Sequence, residues 1–262
     1  MRRKKKKNSV KIGFLFTLTL FSLAAVSVSY TQWSQNMHIQ GTVNTLEDFN
    51  YFYLEGYWKL DENKGQTAND SSANNNHGQL GSTPNVDDND PNWTTGKINS
   101  GLSFDGINDY VKIPDDDTLD ISNEITIMMW IKPSRMEDYE SFVHKDEAYV
   151  LQFAPGTDGY LRGALWLPSL TMLDDNTTQL STNVWYHVAL TYDGSQMRLY
   201  VNGSEVANRD ATGRIQTNDN PLYIGYNPRG VKYWFNGVID EVKVYKHALT
   251  SDEIQQEYDE GL

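Results

Sequence analysis

The doublet Asp240-Glu241 interrupts FNGVIDEVKVY (235–245), a stretch whose alternation is that of a β-strand. Two carboxylates could do glycoside chemistry if both faced one cleft at a fixed separation. Alternation puts Val238, Asp240, Val242 and Val244 on one face, and Ile239, Glu241, Lys243 and Tyr245 on the other. The doublet therefore predicts no acid/base pair. It predicts instead a carboxylate, Asp240, on the more apolar face. A bare charge there is costly or becomes protonated. An arginine, a set of loop amides or a cation would each offset it.

Other catalytic patterns are missing from the sequence. The five histidines (His38, His77, His144, His187, His247) are scattered and form no His-Glu-x-x-His zinc motif. There is no Gly-x-Ser-x-Gly elbow and no phosphate loop, and no cysteine to act as nucleophile or thiolate ligand. The expectation is a protein that is not an enzyme. Binding chemistry is better supplied. Trp130, Tyr149, Trp166, Tyr226, Tyr233 and Trp234 could stack on sugar rings, with Arg229 beside them in the turn-rich YNPRGVKYWFN (226–236). Trp130 faces away from the apolar stripe Ile125, Ile127, Met129 and Ile131, as a residue lining an open face would.

These residues sit in short strand-like runs separated by turn signals, the pattern of an all-β sandwich. The runs are YFYLEGYWKL, GLSFDG, DYVKIPD, ITIMMWIKPS, SFVHKDEAYVLQF, YLRGALWL, VWYHVALTYDG, QMRLYVNG, PLYIGYN and WFNGVIDEVKVY. Asp193-Gly194 and Asn202-Gly203 read as hairpin turns. The polar stretch Asp61–Gly96 reads as largely loop. LTSDEIQQEYDEG predicts a closing helix, with Thr250 and Glu253 as a capping box and Gly261 as its stop.

The N-terminus is of another kind. Seven of the 22 cations precede residue 30, and no acid does, which leaves 15 cations against all 35 acids in the rest. MRRKKKK followed by the uncharged Ile12–Ser29 predicts a signal peptide, cleaved near Ser29, or an uncleaved membrane anchor. Either way the acidic body is expected to be exported, extracellular or at the cell surface. So acidic a body repels nucleic acid and suits divalent cations. Residues 30–50 form a linker or an extra strand. The domain itself is expected over residues 51–262.

Several runs stand in one order: WKLDENKG (58–65), NDSSANNNHGQL (69–80), GLSFDGINDYVKI (101–113), ITIMMWIKP (125–133), VWYHVALTYDG (184–194), MRLYVNG (197–203), LYIGYN (222–227) and FNGVIDEVKVYKHALTSDEI (235–254). In this order the chain from about Tyr57 resembles the LamG-like domains of the concanavalin A-like lectin/glucanase superfamily. The resemblance implies a two-sheet antiparallel jelly-roll sandwich. It implies a carbohydrate- or protein-binding, adhesive module more often than an enzyme. The retaining glucanases of the superfamily carry Glu-x-Asp-x-x-Glu on one strand, which this sequence lacks.

The resemblance also implies one structural calcium ion between the Asp-x-Ser loop and the Ile-Asp-Glu strand. Its ligands here would be Asp70 and Asp240 with loop carbonyls near Asn76 and Gly78, assisted by Asp61 and Glu241. Calcium takes six to eight oxygens, which Asx-rich loops can offer, although such residues also favour turns without any metal. The family's glycine after the second serine is Ala73 here. If that position needs positive φ, the loop must take another path. TQWSQNMHIQGTVNT, following the signal segment, resembles the start of exported fibre-forming matrix proteins related to camelysin. A self-assembling strand and a plain spacer are both open for residues 30–50.

Overall fold

The computed structural model describes residues 52–156, 159–230 and 233–262. The signal or anchor segment and the 30–50 stretch lie outside them. Among the described residues no helix is long and apolar enough to cross a membrane.

Among the described residues sixteen strands build two antiparallel sheets. In chain order they are β1 (Leu54–Trp58), β2 (Thr67–Ala68), β3 (Gly78–Leu80), β4 (Asn92–Thr95), β5 (Ser100–Asp105), β6 (Val111–Ile113), β7 (Ile125–Pro133) and β8 (Ser141–Lys145). Then follow β9 (Tyr149–Phe153), β10 (Leu161–Trp166), β11 (Leu170–Asp174), β12 (Tyr186–Tyr192), β13 (Gln196–Val201), β14 (Ser204–Asp210), β15 (Leu222–Ile224) and β16 (Asn236–Tyr245). The first sheet has the order β14-β13-β12-β7-β16-β5-β4, with β1 also on β16. The second runs β11-β10-β9-β8-β15-β6-β3-β2.

The expected sandwich is what forms. The stripe Ile125, Ile127, Met129 and Ile131 is fully buried between the sheets, against Leu151, Phe153 and Leu165 of the second. The Asp61–Gly96 stretch is not all loop. It carries β2, β3 and β4, which are too short and too poor in apolar residues to show a periodic signal. The turn between β13 and β14 is Asn202-Gly203, with φ of 49° and 77°, as a tight hairpin requires.

The chain ends in helix α1 (Ser251–Glu260). Thr250 and Glu253 form the complete capping box, and Gly261 is the C-cap. Leu249 and Ile254 pack with Met128, Ala189, Tyr200 and Tyr245, which belong to the outer side of the first sheet. The helix therefore lies outside the sandwich, over one face only.

Candidate functional site

β16 does not alternate as its sequence suggests. The β16–β7 register runs Ile239↔Ile131, Asp240↔Trp130, then Lys243↔Met128, so one extra residue is inserted after Asp240. Glu241 takes φ 54° at that bulge. A bulge shifts the strand's phase by one residue. Ile239, Val242 and Val244 thus all enter the core, while Asp240 and Lys243 pair with outward-facing Trp130 and Met128. The expected opposition of Asp240 and Glu241 across the sheet is corrected accordingly, and both acids serve the outer face beneath α1.

Neither is free to react there. Asp240 is fully buried, and its Oδ2 accepts the N–H groups of Lys97 and Ile98 at 2.8 and 2.9 Å. Its Oδ1 accepts the Glu241 amide. Of the three offsets open to the sequence, loop amides are the one used. The β4–β5 turn can approach because residue 96 is glycine; a Cβ there would strike Asp240 Oδ2 and the Ser100 carbonyl. Burial pushes Asp240 up to about 8, against the pull of its three amide donors. Glu241 is raised by burial too and accepts the Tyr57 hydroxyl.

The six proposed calcium ligands do not converge. Asp70 Oδ1 accepts the amides of Tyr57 and Ser72, and Oδ2 accepts Ser72 Oγ and the Asn76 amide. The Asn76 carbonyl accepts the Trp58 indole N–H. Asp61 holds Ser100 and Asn99, and Gly78 gives room for Val111. Strand β1 stands between the two principal acids: Trp58 pairs with Val242 on one side and bridges to Asp70 on the other. Each carboxylate is met by N–H groups, whose positive ends disfavour a cation. The residues therefore do not fit a calcium ion shared by Asp70 and Asp240. Among the described residues no three His, Asp or Glu side chains gather as a metal site. The loop carries its positive φ at Asn75 (61°), so Ala73 is unstrained.

Two aromatic candidates are also misplaced by the sequence reading. Trp130 is 3% exposed, stacked on Tyr258 with ring centroids 5.6 Å apart. Gly261 comes so close that a Cβ would lie 2.6 Å from the indole. Alternation identified its outward face correctly but could not reveal that α1 covers it. Tyr149 points into the core, where its hydroxyl donates to the Leu119 carbonyl.

The outer face of the second sheet is where the remaining candidates meet. A cross-strand row runs Lys112, Tyr223, His144, Val150, Ala164, Met172 over β6, β15, β8, β9, β10 and β11. Five strand spacings give about 24 Å, of which the middle, His144, Val150 and Ala164, is buried. At one end Tyr110, Tyr223, Tyr226 and Trp234, all half-buried, form one cluster. Tyr110 lies 5.7, 5.8 and 5.9 Å from the other three, and Tyr226 stacks on Trp234 at 3.7 Å with an 11° tilt. The hairpin that carries Tyr226 and Trp234 is closed by Asn227 N–H to Tyr233 C=O and Phe235 N–H to Gly225 C=O.

Farther along, Trp166 lies 6.4 Å from His144, with the Arg229 guanidinium 4.7 Å above its ring. Arg229 is also paired with Asp146 and Glu147. Burial would raise Asp146, but its bonds to His144 and Arg229 outweigh that and hold it down to about 2. Tyr233 packs on Tyr139 at 5.0 Å, over which Arg162 stacks. The structure thus unites Trp166, Arg229, Tyr233 and Trp234 on one face. Tyr110 and Tyr223 are the members overlooked in the sequence. In DYVKI and PLYIGYN they alternate with buried Val111, Ile113, Leu222 and Ile224, so the signal for them was present.

Residues 105–255 match the family described as the concanavalin A-like lectin/glucanases superfamily. No curated protein matches the chain. Domain 4 of AbnA, an extracellular arabinanase from Geobacillus stearothermophilus solved with arabinotriose, superposes with a TM-score of 0.62 at 22% identity, over 78% of this chain and 97% of that one. The binding domain of Paraclostridial Mosquitocidal Protein 1 gives 0.64 at 17% identity, over 80% of this chain and 52% of that one. The binding domain of botulinum neurotoxin DC, in complex with SialylT, gives 0.59 at 13% identity, over 81% and 52%. The likenesses show a shared fold, and the chain spans about half of the two toxin domains. With more than half its length matched, the chain belongs to the concanavalin A-like lectin/glucanases superfamily.

Proposed function

We propose that this protein is an exported, surface-displayed, non-catalytic module that binds carbohydrate on the outer face of its second sheet. The cluster of Tyr110, Tyr223, Tyr226 and Trp234 carries this reading. Half-exposed rings gathered on a rigid sheet offer flat apolar surface to the apolar face of a sugar ring. Burial raises the pKa of the Tyr110, Tyr223 and Tyr226 hydroxyls, so they stay protonated and can both donate and accept. The polar groups of Arg229 and Lys112 lie at hand for sugar hydroxyls.

The relatives support the choice of ligand and of location. One is a domain of an extracellular arabinanase in complex with arabinotriose, an uncharged oligosaccharide. The buried, amide-bound state of Asp240 and the Tyr57-bound Glu241 support a role without hydrolysis. Calcium has no part in this reading. Trp234→Ala is expected to weaken binding to a responsive glycan by about tenfold or more while leaving the melting temperature nearly unchanged. Binding unaffected by both Trp234→Ala and Tyr223→Ala would sink the assignment of the face.

A further inference from the structure

Resting on that reading, we infer that the face selects uncharged oligosaccharides and disfavours those bearing carboxylates, with the Asp87–Asp90 loop as the discriminating element. The aromatic cluster is where a sugar would rest, so the charges bordering it decide which sugars approach. Three arginines near the cluster are already neutralised, while Arg209, at the far end of the row, donates to the Met172 carbonyl. Arg162 makes a two-pronged pair with Asp174 at 2.5 and 2.7 Å. Arg229 is held by Asp146 and Glu147. Arg135, whose Nη2 also reaches the Trp234 carbonyl at 3.3 Å, is bound to Glu140 and Glu137. A carboxylate-bearing sugar would have to displace one of these carboxylates to reach an arginine, and the cation open to it at the cluster is Lys112, exposed beside Tyr223. His144, in the middle of the row, is 1% exposed, and burial keeps it neutral.

The opposite sign is better placed. The loop Ser82–Asp90 runs beside the cluster: the Tyr110 amide donates to the Asn89 carbonyl and the Gly81 amide to the Tyr110 carbonyl. Asp87 and Asp90 both act electrostatically on the Tyr110 hydroxyl. Asp88 beside them is exposed. Against Asp87, Asp88 and the half-buried Asp90 stands Lys112. The surrounding body adds its own excess of acids. A neutral sugar loses nothing to this field, because ring stacking and hydroxyl contacts are independent of it. An anionic sugar is repelled, and less so as salt rises.

The test uses the full chain in mild detergent and matched oligosaccharides on one backbone, either neutral or capped with sialic or uronic acid. Binding is measured at low and high salt for the wild type, Asp87→Asn/Asp90→Asn, Asp88→Lys and Trp234→Ala. The wild type is expected to prefer the neutral forms by about tenfold at low salt, with the preference shrinking at high salt. Asp88→Lys touches no described partner, so it keeps the loop intact while reversing one charge. It should narrow the preference even if Asp87→Asn/Asp90→Asn disturbs the fold. Trp234→Ala should weaken both classes alike. Preference for the charged forms, or a preference that neither salt nor Asp88→Lys alters, overturns this inference alone. Failure to bind any member of either class overturns the glycan-binding reading, and this one with it.

Discussion

The two outer faces of the sandwich have similar raw material and opposite fates. The first sheet presents Trp130, Tyr57, Tyr200, Tyr245 and His187, and the second presents Tyr110, Tyr223, Tyr226, Trp234, Trp166 and His144. On the first, α1 closes over the aromatics. Tyr245 donates to Glu257 at 3.0 Å, Lys243 pairs with the same carboxylate, and Lys97 sits 4.6 Å over the Trp130 ring. On the second, among the described residues, no helix intervenes, and Tyr110, Tyr223, Tyr226, Trp234 and Trp166 keep a wet edge while His144 is buried. What separates a structural aromatic from a binding one is therefore what the chain end does with each face, not residue type or strand phase.

The sharpest way to break the comparison is to exchange the consequences of losing one tryptophan. Trp130→Ala removes a buried indole from beneath α1 and should cost about 3–5 kcal/mol, read as a large fall in melting temperature. Glycan binding below the new transition should survive. Trp234→Ala should do the reverse. If Trp130→Ala abolished binding in a folded protein, the first face would be part of the site and the division would fail.

How much of this was legible follows from the same division. Strand alternation located Ile125, Ile127, Met129 and Ile131 in the core, and Thr250, Glu253 and Gly261 marked the helix, because those signals are local. The outward direction of Trp130 was legible as well, but its cover comes from residues 128 positions away along the chain. Asp240 shows a second kind of limit. Its phase depends on one inserted residue, Glu241 at φ 54°, which no apolar pattern announces. Asp70 shows a third. An Asx-rich loop has the composition of a cation site, yet here four N–H and O–H donors from Tyr57, Ser72 and Asn76 consume the carboxylate. Composition records available oxygens and not what they already hold.

The acids offer a sharper test of the covered face. Asp240→Ala leaves three buried or half-buried amides without an acceptor and should cost about 2–4 kcal/mol. Asp70→Ala, which strands four donors around a buried carboxylate, should cost a similar amount. Both losses should be equal in calcium and in chelator, since the carboxylates work on amides. A wild-type melting temperature that drops with chelator, and a drop that Asp70→Ala abolishes, would restore the metal clasp between the chain's two ends.

Asp240 also predicts a pH dependence with a definite sign. Its folded pKa, about 8, lies above the ordinary carboxylate value of 3.8. Between those values the unfolded chain has released its proton while the folded one retains it. Rising pH therefore favours unfolding across that window, so this residue's contribution is intact below about pH 4 and lost by about pH 8. Glu140, buried and raised to about 7 despite Arg135, acts in the same direction. Denaturation across this range should show declining stability, with a shallower decline in Asp240→Asn. A stability that climbed from pH 5 to 8, with the same slope in the variant, would place Asp240 as a full charge in its amide nest.

The smallest effect belongs to the open face, and it completes the contrast. Asp146 and Arg229 are both partly solvated, with side-chain exposures of 28% and 41%. Exposed pairs of this kind are worth a few tenths of a kcal/mol, so Asp146→Asn should barely move the melting temperature. Its effect should appear in binding, because Arg229 loses one of the anchors that hold it over Trp166 and one of its two neutralising charges. Carboxylate-bearing glycans should then gain more than neutral ones, by a factor of about two to three. On the covered face a lost contact is paid in stability; here it is expected to change only what the protein accepts. An Asp146→Asn protein several degrees less stable, with its glycan preference unaltered, would show the Arg229 pair to be structural and move the boundary between the two faces.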